Sequence, residues 1–424
     1  MSMKQLLLSS LSVLALLTAT STDVSAQNAA SPLKVGVLAT LEGTYTALGE
    51  DGVRGIKTAL AAAGNKAGGR EIELVIQSTD ASPDSALRGA RKLVEQDGVE
   101  IVIGPLSGSE GIAIRDYSKT QPKVTFINGS SAAMETTYVE PSENFFRFNT
   151  DGAQWSAGLG SYIYNEKGYR KIATVGEDYS FVYTQVFGLV TEFCAAGGQV
   201  AERLWVPLGT KDFGSIIAAL PVDVDAIYLG LGGGDAVNFL NQYQQAGGEA
   251  RLIGGSLMVD GTVLSSEGSA KRTLIATPSA GPQADSWDNQ AWKDYVKAYQ
   301  NAFSPDKRFP TPSLLATSYY NATNAMLQCM GTVNGNLSDG HAAFRKCLST
   351  LTLKAPNGDI TLDKNRQAIG ANFISEVVEN SDGTLSTKMV KMVEKVNETL
   401  GIDPVAFAKI GLPSRDTPAC KPSY

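Results

Sequence analysis

Covalent chemistry at a protein site needs an activated nucleophile, a base or a cluster of metal ligands, and the 424 residues offer little of this kind. His341 is the only histidine, and it leads into Ala342-Ala343-Phe344, a helical setting that fits packing or surface placement better than proton transfer. The G-x-S-x-G motif of a nucleophile elbow is absent. In Gly104-Pro105-Leu106-Ser107-Gly108 the serine comes one place late, and Gly254-Gly255-Ser256-Leu257-Met258 lacks the closing glycine. Gly230-Leu231-Gly232-Gly233-Gly234-Asp235 is spaced like a dinucleotide fingerprint, but an aspartate at the sixth position would face the pyrophosphate, so a plain strand-to-helix turn explains it better. There is no Walker lysine and no His/Cys cluster at metal spacing. The sequence therefore predicts a protein that is not an enzyme and carries neither metal nor cofactor.

Two loops have the chemistry of binding. A strand at residues 101–103 runs into Gly104-Pro105-Leu106-Ser107-Gly108-Ser109-Glu110 before a helix, so hydroxyls and free backbone N–H groups gather at a helix N-terminus. A carboxylate can be held there without an arginine. The strand at 124–128 ends similarly in Gly129-Ser130-Ser131-Ala132-Ala133, on the same edge. The competing reading of each loop is that its serines only cap their own helix.

The elements that would position these loops follow from hydrophobic period. Short apolar runs at residues 34–38, 72–78, 100–103 and 124–128 alternate with helical segments at 49–63, 82–96 and 109–118. Ser82-Pro83-Asp84 supplies an N-cap with proline at the first helical position. After a polar break at 137–149 the alternation restarts, with strands at 171–175, 200–206, 226–230 and 251–254 and helices at 152–165, 181–196, 213–220 and 235–246. Beyond Ala276 come helices at 289–303, 312–330 and 341–349 and strands at 360–362 and 373–378. Such alternation predicts an α/β protein with parallel central sheets joined by crossover helices.

A basic Lys4, an apolar run at 6–17 and the small-x-small Val24-Ser25-Ala26 predict a cleavable secretory leader over residues 1–26, and hence a periplasmic, diffusible mature chain. No cysteine follows that run closely enough for a lipid anchor, Cys194 being the first. About 400 residues remain, more than the roughly 250 to 300 at which single cores stop growing, so two lobes are expected. Residues 33–147 with 277–355 read as the first, 148–276 with 356–400 as the second, and 401–424 as a tail. Crossings near Phe148, Ala276 and Ala355 are the hinge candidates. A net charge of −7 without a basic cluster argues against nucleic acid as a partner. Four cysteines allow three pairings; Cys329 with Cys347 closes a short loop and is favoured, with free thiols as the alternative.

Leu33-Lys34-Val35-Gly36-Val37, the helix at 49–60, Val102-Ile103-Gly104-Pro105-Leu106-Ser107-Gly108-Ser109, Gly129-Ser130-Ser131 and Glu177-Asp178-Tyr179-Ser180-Phe181 together resemble the leucine/isoleucine/valine-binding family of ABC-transporter periplasmic proteins. The resemblance runs in order from about residue 33 to 380. It implies the type 1 periplasmic-binding fold, two Rossmann-like lobes joined by a three-crossover hinge that close on a small ligand, with permease subunits as partners. It also implies that the ligand carboxylate meets Ser107, Gly108, Ser109, Ser130, Ser131 and Ala132, and that Phe181 covers the ligand. Gly232 stands where an aromatic residue is usual, which predicts extra room. Ser256 stands where amino-acid binders place the acid that pairs the ligand ammonium. A buried ammonium without an anion is costly, so an α-amino acid requires Asp260, Asp235 or Asp178 as a substitute. An aromatic acid beside Phe181, with Tyr45, Tyr183 or Trp155 near it, is the alternative to a branched-chain amino acid, and each of those three also reads as core. The rival readings are a soluble sensor that hands its liganded form to a receptor, and an α/β enzyme.

Overall fold

The computed structural model describes residues 31–420, so the expected leader lies outside the described residues. Parallel strands that are apolar at nearly every position require cover on both faces, and two sheets meet that condition. In the first, β1 (Leu33–Thr40), β2 (Lys66–Ala67), β3 (Arg70–Thr79), β4 (Ile101–Ile103), β5 (Thr125–Ile127) and β6 (Phe145–Phe146) take the order β2-β3-β1-β4-β5-β6. All are parallel except β2, which forms a short antiparallel edge. Val35 of β1 lies opposite Leu74 on one side and Ile101 on the other. Successive residues face opposite ways: Val35, Val37, Ile101 and Ile103 pack under helices Thr46–Ala62 and Leu314–Thr332, while Leu38, Val102 and Phe126 pack under Pro83–Arg91 and Gly108–Lys119. The first two of these helices touch closely because Gly55 has no side chain, a Cβ there standing 2.1 Å from the Ala316 carbonyl oxygen.

In the second sheet, β7 (Lys171–Glu177), β8 (Gln199–Val206), β9 (Ala226–Gly230), β10 (Leu252–Gly254) and β11 (Pro278–Gly281) are parallel, in the order β8-β7-β9-β10-β11. β12 (Leu353–Ala355), β13 (Gly358–Leu362), β14 (Ala368–Glu379) and β15 (Leu385–Val396) continue it antiparallel, with β14 beside β11 and β15 paired to β14. Helix Ser180–Ala195 covers Ile172, Tyr228 and Ile253, and helix Gly233–Gln245 covers Val175, Ile227 and Leu229 on the other face.

The two sheets define two lobes, and three differences from the sequence reading have physical reasons. The crossing expected near Ala276 falls at residues 282–289, because the small-residue run Pro278–Gly281 pairs with β10 and β14 and so stays in the second lobe. The helix expected over 152–165 is two helices, Gly152–Trp155 and Leu159–Asn165. Gly158 between them has φ +85°, its N–H is accepted by the Glu192 carboxylate at 2.8 Å, and Asn372 Nδ2 donates to the freed carbonyls of Trp155 and Ala157. Residues 401–420, read as a tail apart from the lobes, pack on both of them: Phe407 of helix Pro404–Ile410 lies on Tyr138 and Phe187, and Cys420 is bonded to Cys194. Cys329 is bonded to Cys347, so no described cysteine is free.

At the first crossing the Arg147 guanidinium is buried and donates to Ala133 O at 2.6 Å, to Thr137 and to Gln367. Gln367 in turn donates to Gln154 Oε1 at 2.8 Å, and Gln154 donates to the carbonyls of Ala368 and Val396. The first crossing is thus joined to the strands β14 and β15 by one buried polar network. Among the described residues no helix is long and apolar enough to cross a membrane.

Candidate functional site

Open parallel sheets bind ligands beyond the carboxyl ends of their strands, at the point where the strand order reverses. In the first sheet that point lies between β1 and β4, and in the second between β7 and β9. The loops leaving these four strands carry Tyr45, Ser107–Ser109, Glu177–Phe181 and Gly232, and they face one another across the gap between the lobes.

The first-lobe loop is organised by a capping box. Ser107 Oγ accepts from Glu110 N at 3.2 Å, and the Glu110 carboxylate accepts from Ser107 N at 2.8 Å. The Ser107 hydroxyl also donates to Ala81 O at 2.7 Å, so the capping reading holds for this serine. Glu110 Oε1 has no protein partner, and burial pushes this carboxyl up to about 7. Gly108 touches the second lobe: a Cβ there would stand 2.8 Å from Phe181 N. Ser109 Oγ meets Ser180 Oγ at 3.1 Å across the gap. In the neighbouring loop the N–H groups of Ser130 and Ser131 donate to Pro105 O, the Ser130 hydroxyl reaches Leu106 O at 3.4 Å, and Ala132 O accepts from Gly152 N. Ser131 Oγ is buried against Gly111 without a partner.

A chain of aromatic rings spans the lobes. Tyr45, on the short turn after β1, lies 6.4 Å from Tyr179, which lies 6.0 Å from Phe181, which in turn meets the Trp155 edge at 5.4 Å. The Tyr45 hydroxyl donates to Glu177 and meets Tyr179 Oη at 2.9 Å. The Trp155 indole N–H is buried with no acceptor. Gly232 N donates to Glu177 Oε1 at 3.0 Å. Burial pushes the Glu177 carboxyl up to about 8, the Asp235 charge adding to the shift and the Tyr45 and Gly232 hydrogen bonds opposing it. Thr44 of the first lobe donates to Asp235 at 2.7 Å. With these contacts between the lobes, and with Met134 N donating to Thr184 Oγ1, the arrangement is a closed one.

The structure thus brings Tyr45, Gly108, Ser109, Phe181 and Gly232 to one gap, with Leu106 and Ala132 in the same apolar cluster. The room expected over Gly232 is filled: a Cβ there would lie 2.8 Å from Leu257 and 3.0 Å from the Tyr45 ring. Ser256 points elsewhere. Its Oγ accepts from Gln185 Nε2 at 2.7 Å, and it lines a separate cavity of 570 Å³. Tyr183 packs on Trp205 and bonds to Asp178, which also pairs with Arg415 of the tail, so both are taken up outside the gap. His341 is buried, with Nδ1 2.9 Å from Thr125 Oγ1, and burial lowers it to about 4. Sequence reasoning missed Glu177 and Tyr179 as site residues. The available signal was an acid closing the otherwise apolar strand Lys171–Glu177, because a carboxyl there is buried at a strand's carboxyl end.

Known proteins share this architecture and sequence. The chain is 22% identical over 371 residues to the Leu/Ile/Val-binding protein homolog 6 of Brucella melitensis, covering 86% of this chain and 93% of that one. Among solved structures, a solute binding protein of an ABC transporter from Rhodopseudomonas palustris in complex with 3,4-dihydroxybenzoic acid aligns with a TM-score of 0.78 at 23% identity, over 87% of this chain and 98% of that one. A leucine binding protein from Thermotoga maritima aligns with a TM-score of 0.73 at 20% identity, over 85% and 99%. The sequence model described as periplasmic binding protein matches residues 32–384. The two-lobed α/β chain therefore belongs to the periplasmic binding protein family and has the type 1 fold of the ABC-transporter substrate-binding proteins it aligns with.

Proposed function

We propose that this protein captures a small carboxylate, best an aromatic or other amine-free organic acid, by closing its lobes on it, and delivers it to an ABC permease. The observation that carries the reading is the buried Trp155 N–H, which lacks an acceptor beside the Phe181, Tyr179 and Tyr45 rings. A ligand oxygen would satisfy it, and the rings present flat apolar surface to an aromatic body. The N-terminus of helix Gly108–Lys119 favours negative charge at the same gap. Binding stabilises the closed state through contacts that exist only when Phe181 and Ser180 meet Gly108 and Ser109. Aromatic acid is also what the R. palustris protein holds.

A branched-chain amino acid is the second reading, and Glu177 favours it, since this buried carboxyl would ionise readily against a ligand ammonium. A thermal-shift series separates the two: benzoate, 4-hydroxybenzoate, 3,4-dihydroxybenzoate, leucine and valine are each added to wild type and to Glu177→Gln. The first reading expects stabilisation by an aromatic acid and its retention in the variant. Stabilisation by leucine that disappears in Glu177→Gln would establish the second. If no carboxylate shifts the wild type, the proposal fails.

A further inference from the structure

Apart from the gap between the four loops, the protein contains the 570 Å³ cavity that Ser256 lines, built by the second lobe, by the crossing at residues 282–289 and by Pro310–Leu314 ahead of and into a first-lobe helix. Three residues that line it each carry a buried polar atom without a partner: Asp260 Oδ2, Gln283 Oε1 and Ser375 Oγ. Asp260 is 7% exposed and Ser375 5%. The other Asp260 oxygen accepts from Thr262 N at 2.9 Å as a helix cap, so its geometry is fixed while Oδ2 is left without a donor. Leaving such an acceptor buried and unpaired costs about 1 to 3 kcal/mol, more when it is charged.

The charges on the wall point one way. Asp260, Asp285 and Asp382 face the cavity against Lys271 alone, whose ammonium is engaged by Ser266 O at 2.6 Å. Asp285 is already satisfied by Thr311 and Thr387. The remaining wall is hydrocarbon, including Leu264, Leu314 and Phe373. We propose that this cavity is a second binding site, for a small organic ammonium compound whose N–H groups satisfy Asp260 Oδ2 with Gln283 or Ser375 and whose apolar body lies on Leu264, Leu314 and Phe373. An anion is disfavoured by the surplus of carboxylates, and a purely apolar guest leaves Asp260 unpaired. Because Ser313 and Leu314 belong to the first lobe and Asp260 and Ser375 to the second, such a guest bridges the lobes.

The test uses the full mature chain and phenethylamine as probe, with 2-phenylethanol and 3-phenylpropionate as its neutral and anionic counterparts, by isothermal titration. Two variants act on different elements of the wall: Asp260→Asn keeps the helix cap and removes the charge, and Ser375→Leu fills the cavity. Expected are binding of phenethylamine to wild type, at least tenfold weaker binding of both counterparts, and at least tenfold weaker phenethylamine binding in each variant that retains the wild-type unfolding transition. No binding of phenethylamine at millimolar concentration, equal binding of 2-phenylethanol, or unchanged affinity in Asp260→Asn would overturn the proposal. Phenethylamine differs in class from the carboxylates of the aromatic gap, so failure here leaves that reading standing.

Discussion

Gly108→Ala isolates lobe closure from everything else in the protein. The added Cβ would stand 2.8 Å from Phe181 N and 3.0 Å from Phe181 Cβ and Ser180 Oγ, more than half an ångström short of the ordinary contact distance of 3.4 Å to the backbone atom. That neighbour is the main chain at the head of helix Ser180–Ala195, so it yields only if the lobes part. Overpacking of this size costs roughly 1 to 3 kcal/mol. At 1.4 kcal/mol per factor of ten, ligand affinity should fall by about 5- to 150-fold. The ligand-free protein loses little, because open lobes do not meet and alanine is a better helix former than glycine by up to about 1 kcal/mol. Titration calorimetry with whichever carboxylate stabilises the wild type measures the first quantity, and thermal unfolding without ligand the second. The reasoning is refuted if Gly108→Ala binds within twofold of wild type, since the closed contact would then be absent from the liganded state.

Other consequences follow from the same geometry. Phe181→Ala should weaken carboxylate binding at least tenfold through loss of the ring between Trp155 and Tyr179, and unchanged affinity would place the ligand elsewhere. Stability should fall as pH rises from 6.5 to 8. Glu177 and Glu398, both raised to about 8, are protonated in the folded state and ionised in the unfolded state over that window, so their contribution is complete below about 4.5 and is lost as pH climbs through 8. His341, lowered to about 4, acts in the opposite sense only between about 4 and 6.5, where the unfolded ring takes a proton first. Glu177→Gln should flatten the slope measured by calorimetry, whereas a melting temperature that rises from pH 6.5 to 8 would contradict the assignment. Replacing Cys329 and Cys347 together by alanine should cost about 3 kcal/mol in denaturant unfolding, as expected for a closed loop of 18 residues' separation, and a loss near zero would mean that the unfolded chain keeps those segments together.

Composition and period alone determined much of this protein. The alternation of short apolar runs with amphipathic segments specified parallel sheets, because strands buried on both faces must be apolar throughout. Ala226–Gly230 was legible to the residue for that reason. Leu385–Val396 was not, since an antiparallel edge strand carries Lys388, Lys391, Glu394 and Lys395 toward solvent and hides its period. Nor did residues 278–281 betray their sheet, because small side chains carry no burial signal and only the hydrogen bonds to β10 and β14 assign them.

At the site the division is similar. The helix N-terminus at Ser107–Ser109 could be read from spacing, because a cap is a contact between residues three apart in sequence. That Glu177 sits under Tyr45, that Leu257 fills the space over Gly232, and that Asp260 lines a cavity with Ser375 are pairings across 132, 25 and 115 positions of chain. Local sequence constrains only neighbours along the chain, whereas the environment that sets a carboxyl's proton affinity or the room left for a ligand is made by whichever distant loops the two sheets bring together.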